Sequence, residues 1–155
     1  MLSNPQPRVL CVEDDEDSRV MLCALLRLSL IEAKAVGTAT QALSLIQAEH
    51  FDLYMLDSHL PDLDGFELCR RLRDFDPHTP ILFFSGAAYE ADKKRGIEAG
   101  ANAYVVKPNL DDLFENIAQL VSPAESIATQ VILAQREVSG PPPLTFGIAR
   151  GAYVG

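Results

Sequence analysis

The sequence has no tryptophan, only three cysteines, and no excess of positive charge. Each shortage closes off a class of function. Cys11, Cys23 and Cys69 are widely spaced among apolar or helix-forming neighbours, with no CxxC pair. They read as buried reduced thiols, not as a disulfide framework or a metal site. Lysine and arginine total 13 against 22 acidic residues, a net charge of -9, which argues against a nucleic-acid binder, because phosphate-backbone binding needs a basic face that releases counterions. A protein partner or a cation suits the charge better. No window approaches the roughly 18 consecutive apolar residues of a membrane span, and the opening MLSNPQPR has no apolar core of signal-peptide length. The expected location is the cytoplasm, with neither nucleic acid nor membrane as partner.

What is present is the composition of a globular chain, 48% hydrophobic and 23% charged over 155 residues, enough for one well-packed domain and too little for two ordinary ones. Short apolar runs at Arg8-Val12, Glu32-Val36, Asp52-Leu56, Pro80-Phe84 and Asn102-Val106 read as strands. Several are continuously apolar, as strands covered on both faces must be. Helical patterns lie between and after them at about Glu16-Ser29, Ala39-Glu49, Gly65-Asp74, Tyr89-Ala99 and Leu110-Val121. Thr38-x-x-Gln41 fits a capping box, and Gly100 fits the left-handed residue past a helix end. Five βα repeats imply a parallel sheet with helices on both faces. In such sheets the ligand site lies beyond the carboxyl ends of the strands.

The residues at those ends form a chemical set. Glu13 and Asp14 follow the first strand, Asp57 the third, Ser85 the fourth, and Lys107-Pro108 the fifth. Any one of them alone reads as a solvated loop residue. Three carboxylates converging in a partly desolvated crevice repel one another, so they take up protons or enclose a cation. All-oxygen ligation with open positions suits magnesium. A carboxylate nucleophile, a divalent cation, a lysine and a hydroxyl donor are the parts needed to make and hold an aspartyl phosphate, since phosphoryl transfer asks mainly for positioning and charge neutralisation.

The acidic pair in VED, the LDSHLPDLDG segment around Asp57, FFSGA holding Ser85 and YVVKP holding Lys107 occur in order at the right strand ends. Over about residues 8 to 121 the chain resembles the receiver domain of two-component response regulators. The resemblance implies a flavodoxin-like, doubly wound (βα)5 sandwich with strand order 2-1-3-4-5 and Asp57 as phosphoacceptor. It implies magnesium held by Asp14, Asp57 and the backbone carbonyl of His59, with Glu13 reaching it through water. Lys107 would contact the phosphoryl group, and Ser85 would move to hydrogen-bond it, letting Tyr104 swing inward. The Lys107-Pro108 peptide would be cis, a geometry accessible before proline. The donor would be a phosphohistidine on a sensor kinase or phosphotransfer protein, and the output a surface of the fourth helix, fifth strand and fifth helix flanking Tyr104.

Other features have plainer readings. Asp62-Leu63-Asp64-Gly65 resembles part of a calcium loop, but the spacing from Asp57 and the missing twelfth-position glutamate defeat that match. Asp64 is expected near the next helix start. His50 and His78 read as solvated, whereas the His59 side chain should flank the entrance used by attacking water and tune the phosphate's lifetime. An unchanged decay rate in His59→Ala would refute that role. Serine at 85, where threonine is common in the family, and glycine at 86 imply a looser switch, because serine lacks threonine's rotamer-restricting methyl.

Residues 1-7 read as an arm and 122-155 as an extension. Ser122-Pro123-Ala124-Glu125 carries helix-start signals, Ile127, Val131, Ala134 and Val138 share a stripe, and Gly140 offers a stop, so a helix over about 123-138 is expected before a proline- and glycine-rich tail. That extension is too short for a helix-turn-helix output domain. It would cover the output surface, pair two protomers or simply extend the fold. The leading reading is a stand-alone receiver acting through protein binding, not an enzyme beyond its own phosphorylation and dephosphorylation. Alternatives are a receiver fragment of a larger response regulator or hybrid kinase, a degenerate scaffold, or a magnesium-dependent phosphatase with an aspartyl intermediate. The phosphatase reading is weakened by histidine at position 59, where such enzymes carry a second acid.

Overall fold

The computed structural model describes residues 5-121. The helix and tail expected beyond Val121 lie outside the described residues, as do the first four residues of the arm. The elements are β1 (Arg8–Val12), α1 (Glu16–Leu28), β2 (Glu32–Val36), α2 (Ala39–Ala48), β3 (Leu53–Leu56), α3 (Gly65–Phe75), β4 (Ile81–Ser85), α4 (Glu90–Glu98), β5 (Ala103–Val106) and α5 (Leu110–Val121). All five strands are parallel, in the order β2-β1-β3-β4-β5. This is the flavodoxin-like order, with the reversal between β1 and β3.

The pleat explains the apolar runs. Leu10, Val12, Tyr54, Leu56, Ile81 and Phe83 point to one face and pack with Ala42 and Ile46 of α2 and with Phe66, Leu68 and Leu72 of α3. Val9, Cys11, Leu53, Met55, Leu82 and Phe84 alternate onto the other face, against Leu22 and Leu26 of α1 and Leu113 and Ile117 of α5. A strand covered on both sides has no polar positions. The edge strand β2, one side of which meets solvent, keeps Glu32 and Lys34 exposed. All three cysteines are free and buried.

Local chemistry sets the helix ends. Asp15, expected as loop, caps α1 by accepting from the Ser18 N–H at 2.8 Å. Thr38 caps α2 and accepts from the Gln41 N–H at 3.1 Å, but the Gln41 side chain returns to Gly37 rather than to Thr38. Asp64 caps α3 by accepting from the Phe66 N–H at 2.7 Å. Gly100 follows α4 with φ 115. Among the described residues no helix is long and apolar enough to cross a membrane.

Candidate functional site

The backbone ladder continues past the strands and fixes the residues beyond them. Glu13 N–H donates to Val36 O, Asp57 N–H to Val12 O, and Lys107 N–H to Ser85 O, at 3.0, 3.0 and 2.9 Å. Four strand ends thereby become rigid mounts for the predicted site residues. Carboxylate oxygens of Glu13, Asp14 and Asp57 lie within 4.8 Å of one another, with Glu13 buried, Asp57 nearly so and Asp14 exposed.

Lys107 reaches into this cluster from β5 across a cis peptide to Pro108. Its Nζ donates to Glu13 Oε1 at 2.5 Å and to Asp57 Oδ2 at 3.1 Å. Burial works against the ammonium charge, but the hydrogen bond from Lys107 to Glu13 and the field of Asp57 outweigh it and raise the lysine pKa. Burial also raises the Glu13 pKa, and the Lys107 hydrogen bond only partly offsets it. The one ammonium group of Lys107 thus stands among three carboxylates, of which Asp14 faces solvent. The set has the donor chemistry of a site for a hard divalent cation, and among the described residues the exposed Asp14 side chain makes no protein hydrogen bond, only its backbone carbonyl accepting from Arg19 Nη1.

The remaining predicted residues gather around Asp57. His59 N–H donates to Asp57 Oδ1 at 3.3 Å, while the exposed imidazole turns to Ser58, with Nδ1 3.2 Å from Ser58 Oγ. Ser85 is fully buried, accepts from the Ala87 N–H at 3.1 Å and pairs with Ser58 Oγ at 2.5 Å. The Tyr104 ring lies inward, stacked on Phe83 with centroids 5.5 Å apart, and its hydroxyl donates to Ala87 O at 2.7 Å. Burial pushes its phenol pKa up, and the nearby Ser85 and Ser58 hydroxyls counter this in part.

Sequence reasoning passed over two participants. Ser58 stands next to Asp57 in the chain, but its partner is 27 residues away, and nothing local signals a buried hydroxyl pair. Gly65 opens α3 so close to the site that a Cβ there would stand 2.1 Å from Asp57 O. The Gly65 N–H also donates to Ser58 O at 3.0 Å. Its signal was present in the LDG that follows the third strand, a glycine at a helix start where a backbone must approach closely.

The geometry agrees with independent similarity. A family model described as the response regulator receiver domain matches residues 9–118. The chain belongs to this family. Receiver domains are signalling switches, and response regulators interact with histidine kinases and downstream targets. Receivers bind magnesium in an acidic pocket, and Glu13, Asp14 and Asp57 form an acidic cluster at the carboxyl edge of this sheet.

Among curated relatives, the transcriptional regulatory protein TcrA of Mycobacterium tuberculosis is 33% identical over 114 residues, 73% of this chain and 45% of TcrA. The chain spans about half the length of the curated relatives it matches. Among solved structures, the non-phosphorylated HemR receiver domain from Leptospira biflexa is similar with a TM-score of 0.71 and 31% identity, covering 77% of this chain and 97% of that one. The receiver domain of sensor histidine kinase PA1611 from Pseudomonas aeruginosa, solved with a magnesium ion in its active site cleft, has a TM-score of 0.69 at 25% identity, covering 75% of this chain and 98% of that one.

Proposed function

We propose that this receiver is a phosphorylation-activated switch in which Asp57 accepts a phosphoryl group from a partner phosphohistidine. The observation that carries the reading is the joining of Glu13, Asp57 and Lys107 through one ammonium group at the carboxyl edge of the sheet. A carboxylate oxygen of Asp57 attacks phosphorus, the P–N bond of the donor breaks, and the imidazole leaves with its electron pair. Lys107 faces the added charge as a fixed counter-ion, and the Ser85 hydroxyl is the donor for a phosphoryl oxygen.

Asp14, Asp57 and the His59 carbonyl would hold magnesium, with Glu13 acting through water. When bound, the ion neutralises carboxylate and phosphoryl oxygens together. Support comes from the carboxylate cluster and from the PA1611 receiver, whose cleft coordinates that ion. Output passes through protein binding at α4, β5 and α5, the surface flanking Tyr104, where Tyr89 and Ile97 are exposed. We place the receiver at residues 8-121 between an arm at 1-7 and an extension at 122-155, and the protein in the cytoplasm. A second reading, a receiver that works as part of a larger response regulator or hybrid kinase, is favoured by the greater length of TcrA.

The test is to offer acetyl phosphate, phosphoramidate and a phosphohistidine donor protein with magnesium and record intact mass. One added phosphate is expected on the wild type and none on Asp57→Ala. A wild type left unmodified by all three donors overturns the reading.

A further inference from the structure

Ser58 ends an otherwise apolar segment, Leu53-Tyr54-Met55-Leu56 followed by Asp57, and the residue is 4% exposed. A buried hydroxyl requires partners. The β3–β4 register pairs Leu56 with Phe83, and continuing it sets Ser58 opposite Ser85. Their hydroxyl oxygens are 2.5 Å apart. Ser58 Oγ also lies 3.2 Å from His59 Nδ1, Ser85 Oγ also accepts from the Ala87 N–H at 3.1 Å, and the Tyr104 hydroxyl stands near both serines while donating to Ala87 O.

A serine hydroxyl accepts two hydrogen bonds and donates one. The Ala87 N–H already occupies one acceptor position of Ser85 Oγ. If Ser58 occupies the second, both acceptor positions are filled and the single Ser85 proton must point elsewhere. With His59 Nδ1–H donating to Ser58, the chain runs His59 to Ser58 to Ser85, and each bond polarises the next. Serine at 85 lacks the methyl that would limit its rotamers, so a hydrogen bond from across the sheet supplies the missing restraint.

The geometry points to Ser58 as a positioning residue that fixes the Ser85 hydroxyl so that its one proton is presented to an anion on Asp57. This rests on the proposed role of Asp57 as phosphoacceptor. Ser58 touches no reacting atom in this scheme and acts only through Ser85. The looser switch expected from serine at 85 is replaced by one tightened through Ser58.

The test uses beryllofluoride with magnesium as a stand-in for the phosphoryl group, titrated against the full chain and followed by NMR shifts of the Ala87 and Tyr104 amides. Ser58→Ala should weaken beryllofluoride binding roughly 3- to 10-fold, the scale of one hydrogen bond. Ser58→Cys keeps the volume but is a poor donor, and should weaken it similarly. In a Ser85→Ala background the Ser58→Ala effect should shrink to less than about twofold, because the two act as one unit. Wild-type affinity in Ser58→Ala, recovery in Ser58→Cys, or an undiminished loss in the Ser85→Ala background would each overturn the proposal. Urea unfolding of each variant confirms that only folded protein is compared. A folded wild type that takes up no beryllofluoride sinks the Asp57 reading and this inference together, whereas a binding wild type matched by its Ser58 variants sinks this inference alone.

Discussion

The ring of Tyr104 lies against α4 at Gly96, so closely that a Cβ built on the glycine would stand 2.8 Å from Tyr104 Cδ2. Glycine inside a helix costs about 1 kcal/mol relative to alanine, and α4 accepts that cost at the one position the ring occupies. Gly96→Ala should therefore gain little or nothing in urea unfolding, since the helix gain is offset by crowding against Tyr104 and Phe83. In a Tyr104→Ala background the same change should stabilise by about 1 kcal/mol. Equal effects in the two backgrounds would show that the ring does not explain the glycine.

Leu30, just past α1, has φ 62 and is 69% exposed. A left-handed backbone costs a residue with a Cβ about 1–2 kcal/mol, while glycine adopts it freely at an entropic cost of about 0.5–1 kcal/mol. Leu30→Gly should stabilise by about 0.5–1 kcal/mol, seen as a higher urea midpoint at unchanged slope. Leu30→Ala keeps the strain and should show no gain. A gain of the same size in Leu30→Ala would assign the effect to removal of exposed apolar surface instead.

The βα alternation, the two covered sheet faces and the placing of Glu13, Asp14, Asp57, Ser85 and Lys107 at strand ends were legible in the sequence from its apolar runs, whereas the strand order came from the family resemblance of the motifs at those ends. Element limits moved where a side chain takes over from the ladder. Asp52, expected in the third strand, accepts from the Arg8 N–H through its carboxylate, and β3 begins after it. Asn102 likewise accepts from the Ile81 N–H through its side chain, and β5 begins at Ala103. The fourth strand is shifted by one residue, from the expected Pro80-Phe84 to Ile81–Ser85, and its end moves because Ser85 O still accepts from Lys107 N–H. Tyr89 precedes α4 rather than joining it, with its N–H bound by the Asp92 side chain. Ser58 and Gly96 were not legible as site neighbours, since each matters through atoms brought to it across the fold, and no local pattern records such contacts.

The crowding of Glu13, Asp14 and Asp57 predicts a stability that depends on the ion. Magnesium at ten times its Kd should stabilise the folded chain by about 1.4 kcal/mol, read as a rise in Tm. Asp14 has the most exposed of the three carboxylates, so Asp14→Asn removes a ligand while leaving the Lys107 pairs in place, and most of the magnesium-dependent rise should vanish. The same rise in Asp14→Asn would place the ion elsewhere.

Asp62 belongs to the loop that carries Asp57 and Ser58, yet its carboxylate is committed to α2. It accepts from the Ala39 and Thr40 N–H groups, both at 2.9 Å, and from Thr40 Oγ1 at 2.6 Å. The Thr40 hydroxyl, followed by the two amides, lowers its pKa from the ordinary 3.8 to about 2. Because the folded-state value is the lower one, the ionised carboxylate contributes stability above pH 3.8, and that contribution is lost as pH falls toward 2. Asp62→Ala should therefore lower Tm at neutral pH, with the gap to wild type closing between those two values. Hydrogen exchange at the Ala39 and Thr40 amides should quicken in the variant at neutral pH, since both lose their acceptor. A Tm gap that stays constant down to pH 2 would mean that the ionised form of Asp62 does not hold the loop to α2.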